Sequence, residues 1–85
     1  MIITAELSLY PLQSDYIEVI QAFIQKLNER DGLSVHTNAM STQILGEAQT
    51  VFAAVQELLE QSAQRFGDQV LVCKFIPKPL DLGAG

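Results

Sequence analysis

Residues 3–12, Ile3-Thr4-Ala5-Glu6-Leu7-Ser8-Leu9-Tyr10-Pro11-Leu12, place an apolar side chain at every second position through Leu9 and then meet a proline. A period of two is the signature of a strand with one buried face. Pro11 ends the strand, because proline has no N–H to give to a ladder. Shortly afterwards the period changes. Tyr16, Ile17, Ile20, Phe23, Ile24 and Leu27 recur at helical spacing, and Asp15 stands three residues before Glu18 in the manner of a capping box. Asp31-Gly32 then closes the helix, glycine being suited to the left-handed C-terminal position.

Outward from this strand–helix pair, Leu33–Thr37 and Thr42–Leu45 read as two short strands joined through Asn38-Ala39-Met40-Ser41. Gly46 and Glu47 are expected to open a second helix, with an apolar stripe of Val51, Phe52, Val55, Leu58, Leu59 and Ala63 and an end at Gly67. Val70–Ile76 is the last strand, stopped by Pro77 and Pro79, and residues 77–85 read as a tail. The order βαββαβ makes this an α+β chain. Right-handed crossovers put both helices on one face. Interleaving the two units predicts a ferredoxin-like fold, a four-stranded antiparallel sheet of order 4-1-3-2 with its other face bare. The parity of the last strand stays open: either Val70 and Val72, or Leu71, Cys73 and Phe75, lie on the bare face. Both choices expose apolar area on a small domain, so the expectation is a homodimer or a dimer of dimers.

Composition narrows the function. Eighty-five residues suit one domain spanning 1–85, and 48% hydrophobic residues suffice for a packed core. Ten acidic residues against five basic ones give a net charge of −5. Such a field repels phosphate backbones and anionic lipid, which argues against nucleic acid and membrane surfaces as partners and favours a small cation. Met1–Glu6 has no basic leader, and no apolar run approaches the ~20 residues that span a bilayer. The expected location is therefore cytoplasmic. Cys73 is the single cysteine and His36 the single histidine. An intrachain disulfide is ruled out, and a zinc site would need three or four ligands. Cys73 is expected in the core. No glycine-rich phosphate loop is present. The residues suggest no enzyme, no metal and no redox cofactor.

Glu6 asks for an explanation. Alternation puts it mid-strand on the bare face, flanked by Thr4 and Ser8. A cross-strand ion pair with Lys74 would account for it. So would a role as an acceptor for a cationic or amino-bearing ligand.

Three segments carry a resemblance. They are Glu6-Leu7-Ser8-Leu9-Tyr10-Pro11-Leu12, then Asp15-Tyr16-Ile17 with Val19-Ile20, then Asn38-Ala39-Met40-Ser41-Thr42-Gln43-Ile44-Leu45-Gly46 followed by Val51-Phe52. In their order the chain resembles the YkoF-type thiamine and hydroxymethylpyrimidine-binding domains, part of a wider superfamily of small thiamine-binding, ferredoxin-like proteins. The resemblance runs to about Leu59. It implies binding of thiamine or its pyrimidine precursor without transformation, in vitamin uptake or salvage. YkoF-type proteins carry two such domains in tandem; this chain matches one, and two copies could supply the pair.

Ser8, Tyr10, Asn38, Ser41 and Thr42 fall inside the matching segments, and with Glu6 they are the candidate ligand-binding residues. Tyr10 could stack on a ring. Asn38, Ser41 and Thr42 could read a polar edge, and Glu6 could meet an amino group or a positive charge. Each has a plainer alternative. Asn38 and Ser41 are common turn residues. Thr42 shares the parity of Ile44 and so could face the helices, and Tyr10 could cover the edge of the core. The alternative function is a regulatory or assembly module that binds another small ligand or a partner chain.

Overall fold

The computed structural model describes residues 1–83. Its elements run β1 (Ile2–Pro11), α1 (Tyr16–Asn28), β2 (Ser34–Thr37), β3 (Thr42–Glu47), α2 (Ala48–Phe66) and β4 (Gln69–Ile76). The strands form one antiparallel sheet in the order β2-β3-β1-β4, which is the expected ferredoxin-like arrangement read from the other edge.

The alternation in β1 does what its sequence says. Ile3, Ala5 and Leu7 are buried and meet Phe23 and Leu27 of α1, Ile44 of β3, and Val51 and Leu58 of α2 in one core. Ala5 lies opposite Ile44 on one side and Phe75 on the other, and Leu7 lies opposite Thr42 and Cys73. Opposed residues share a face, so the parity of β4 is settled. Leu71 and Cys73 pack on the core, while Val70, Val72 and Lys74 join Glu6, Ser8 and Tyr10 on the open face. Burial raises the pKa of the Cys73 thiol, in keeping with a packing role.

Both helical stripes are rotated from their expected positions. In α1 the fully buried row is Val19, Phe23 and Leu27, spaced by four, while Tyr16 and Ile17 are exposed. Ile17 stands two residues before Val19, about 200° around the helix, and cannot share its face. In α2 the buried row is Val51, Ala54, Leu58 and Ser62; Ala63 is exposed, and Phe52 leaves the core to stack on Phe75 at 4.5 Å. Ala54 and Ser62 are the small residues of that buried row.

Three boundaries also differ. Asp15 precedes α1 without any side-chain capping bond, and the first-turn residues around it are exposed, so water can meet their N–H groups. Gly46 and Glu47 do not open α2. They extend β3, opposite Ile3 and Ile2, and α2 starts at Ala48, whose N–H donates to the Met1 carbonyl at 2.9 Å. The chain after β4 is tied to β1 at Lys78 and Leu80. The Thr4 hydroxyl donates to the Lys78 carbonyl at 3.0 Å and accepts from the Leu80 N–H at 2.9 Å, which leaves Thr4 only 2% exposed. Residues 84–85, the end of the expected tail, lie outside the described residues.

Gly46 has a packing reason. A Cβ there would sit 2.6 Å from the Gly32 carbonyl oxygen and 3.1 Å from Leu33 Cδ2. Gly32 itself has φ +84°, a conformation that side chains rarely adopt, so the turn after α1 cannot easily withdraw. The Gly46→Ala substitution is expected to destabilise the fold by roughly 1–3 kcal/mol, the usual cost of overpacking. Urea denaturation checks this, and an unchanged midpoint would refute it.

Candidate functional site

The two neighbours of β1 differ in reach. β4 pairs with it as far as Pro11, opposite Gln69, but β3 pairs only as far as Leu7, opposite Thr42. From Ser8 onward β1 therefore has no strand beside it on the β3 side. The space left there is a cavity of about 380 Å³, bounded by residues 7–11 of β1, by Tyr16, Ile20, Phe23 and Ile24 of α1, and by residues 37–42 of the β2–β3 hairpin. Its size falls within the ~300–1,000 Å³ common for small-molecule sites.

Five of the six candidate residues border this notch: Ser8, Tyr10, Asn38, Ser41 and Thr42. Glu6 does not. Their polar groups are mostly engaged already. Asn38 Oδ1 accepts from the Met40 N–H at 2.8 Å and the Ser41 N–H at 3.1 Å, and the Asn38 N–H donates to the Ser41 carbonyl at 3.0 Å. Asn38 thus closes the turn with its own side chain, as Asn commonly does. Thr42 is buried on the helix side, its hydroxyl 3.2 Å from that of Thr37. Ser8 and Tyr10 share the parity of Glu6 and flank the notch where β3 stops covering β1; Tyr10 remains 56% exposed.

Glu6 sits on the open face beside the notch. Its carboxylate accepts from the Ser41 hydroxyl at 2.8 Å, and Lys74 Nζ lies 3.5 Å away on β4. Ser41 Oγ in turn accepts from Gln43 Nε2 at 2.6 Å. The Ser41 hydrogen bond, followed by the Lys74 charge, holds the Glu6 pKa below the ordinary glutamate value, with desolvation partly opposing them. The ion pair with Lys74 foreseen from the cross-strand register is present.

Much of the remaining wall was not among the candidates. Leu7, Leu9, Tyr16, Ile20, Phe23, Ile24, Met40 and Leu71 read from the sequence as core or surface. The one available signal was the width of the apolar stripe on α1. Ile20 and Ile24 lie beside the Val19-Phe23-Leu27 row, and the extra width faces the notch. Among the described residues that line it there is no Asp, Glu, His, Lys, Arg or Cys. Such a surface can hold a flat, mostly apolar ring and offer it hydroxyls. The titratable side chains in that lining are the phenols of Tyr10 and Tyr16. Among the described residues no group of His, Cys, Asp and Glu is arranged to hold a metal ion, and no helix is long and apolar enough to cross a membrane.

The profile of the YKOF-related family matches residues 2–76. Among solved structures, a Thermotoga maritima protein described as a "putative thiamine biosynthesis/salvage protein" is similar, with 24% identity over 92% of this chain and 85% of that one and a TM-score of 0.82. A Streptococcus pneumoniae protein shares 21% identity over 94% and 90% of the two chains, with a TM-score of 0.84. A Methanocaldococcus jannascii protein shares 24% over 92% and 81%, with a TM-score of 0.79. No curated protein matches the chain.

The depressed Glu6 pKa has a consequence for stability. A carboxylate whose pKa is lower in the folded chain than in the unfolded one stabilises the fold above its unfolded value. That contribution disappears as pH falls through the folded pKa. Urea denaturation between pH 7 and pH 3 is expected to show a smaller acid-side loss for Glu6→Gln than for the wild type. Parallel profiles would contradict the assigned hydrogen bond.

Proposed function

The chain belongs to the YKOF-related family, and from that premise we propose that it binds thiamine, or the hydroxymethylpyrimidine half of thiamine, without transforming it, in vitamin uptake or salvage. The observation that carries this reading is the notch: a cavity of about 380 Å³ bordered by the segments that resemble thiamine-binding domains, with an uncharged wall. A pyrimidine ring stacks well on tyrosine and aliphatic side chains, and Tyr10, Tyr16, Ile20 and Ile24 supply them. The net charge of −5 draws a thiazolium cation toward the mouth without a carboxylate inside. The description of the Thermotoga maritima relative agrees with this substrate class.

Ligand that binds only the folded chain raises its melting temperature by mass action. At about one hundred times the dissociation constant the gain is ~2.7 kcal/mol, on the order of 10 °C for a domain of this size. Thiamine and hydroxymethylpyrimidine are each expected to produce such a rise. Ile20→Trp, which puts bulk into the cavity, is expected to weaken binding by at least about tenfold in a protein that still folds, since filling the space removes the ring's contacts. No rise with either compound, at millimolar concentration, would sink the reading.

A second reading, a module that assembles with copies of itself, draws on a different observation. Tyr10, Val70 and Val72 expose 56%, 47% and 45% of their surfaces on one open sheet face. Exposed apolar patches on small domains commonly mark interfaces. A homodimer, or a dimer of dimers, would bury them. Light scattering is expected to give at least twice the 9.4 kDa of one chain at micromolar concentration; a mass near one chain would exclude self-association.

A further inference from the structure

We infer that Glu6 is a positioning residue for the notch: from the open face of the sheet, just outside the notch, its carboxylate holds the Asn38–Ser41 turn, through Ser41, in the place that gives the cavity one of its walls. The inference rests on the notch being the ligand site, and it adds to that reading a residue that acts without touching ligand.

The geometry is specific. Asn38, Ala39 and Met40 are exposed, and the turn's own bonds are short-range, among Asn38, Met40, Ser41 and Gln43. Among the described residues, the Ser41–Glu6 bond is the one side-chain hydrogen bond that ties the turn to a strand outside its own hairpin. It spans 35 positions of sequence and starts from a residue that borders the notch. The ladder cannot do this work, because β1–β3 pairing ends at Leu7 and Thr42, just short of the turn. An internal turn can be well formed and still swing as a body about its strand ends. A tether to the central strand removes that freedom, and a bond to a carboxylate is stronger than one between neutral groups.

The surroundings of Glu6 are simple. Lys74 faces it from β4, and uncharged Ser41 and Gln43 face it from the hairpin. His36 lies one strand farther out, opposite Gln43, and Lys78 follows β4 near Thr4. The helices pack on the other face. Protonation of Glu6 therefore weakens one bond that reaches the turn, at a pH lowered first by that Ser41 bond and then by the Lys74 charge.

Nuclear magnetic resonance of the full chain, without ligand, tests the tether. The Met40 and Ser41 amide resonances are expected to titrate together with the Glu6 carboxyl, below the ordinary glutamate range. Lys74→Met is expected to move that midpoint upward. Ser41→Ala is expected to abolish the titration at Met40 while the Glu6 carboxyl still titrates. A merely structural contribution would produce none of these coincidences. Hydrogen exchange at Met40 and Ser41 is expected to speed up roughly fivefold in Glu6→Gln and in Ser41→Ala, about the difference between a charge-assisted and a neutral hydrogen bond. The double variant should go no further than either single one. Calorimetry with thiamine is expected to show the same fold-loss of affinity in the same variants. Turn amides that ignore the Glu6 titration, or wild-type protection in Glu6→Gln, would overturn the inference. Wild-type protein that binds no thiamine would instead remove the vitamin reading, and the amide titration would still decide the tether.

Discussion

The central strand has two neighbours of unequal length, and most of what distinguishes this domain follows from that mismatch. Along Thr4–Leu7 the strand is paired on both sides and its inward residues are sealed under two helices. From Ser8 onward only β4 remains beside it. A sheet cannot close over a strand whose neighbour has turned away, so α1 and the hairpin turn border an empty space there. Burial of Ile3, Ala5 and Leu7 stabilises the fold, and the missing pairing of the next residues leaves room for the notch. Both come from one ten-residue strand.

The architecture was legible because it depends on periods, which survive in a single sequence. Alternation in β1 fixed its buried face, and the order of elements fixed the sheet. The rotations of the helical stripes were not legible for a physical reason. Both helices carry more apolar residues than one face can bury, and small Ala54 and Ser62 do not stand out in the sequence as buried positions. Gly46 was read as punctuation before a helix because its true constraint, the Gly32 carbonyl across the strand edge, is a contact between residues distant in sequence.

The site was legible in part and for a different reason. Ser8, Tyr10, Asn38, Ser41 and Thr42 stood out as polar or aromatic residues within segments that resemble a known family, and they share one border. The apolar wall did not stand out, since a leucine in a cavity and a leucine in a core have the same spelling. Glu6 was noticed for the right cause, a charge in mid-strand, but its place was ambiguous. Strand parity shows which face a residue takes and leaves open what it reaches. Here it reaches diagonally along its own face to Ser41, two residues before its cross-strand partner Gln43.

The segment after β4 bears on a matter outside binding. It folds back so that Thr4 meets both the Lys78 carbonyl and the Leu80 N–H, and in doing so it shields the start of the open face. β4 itself is an edge strand of eight residues, Gln-Val-Leu-Val-Cys-Lys-Phe-Ile, with a single charge. Long apolar edges of this kind are templates for uncontrolled pairing between chains. Lys74 interrupts the middle of that edge, while Pro77, Pro79 and the strap end it and turn the chain away. A chain ending before the segment that binds Thr4 would bare that buried hydroxyl on the open face and leave Lys74 as the one charge on the β4 edge.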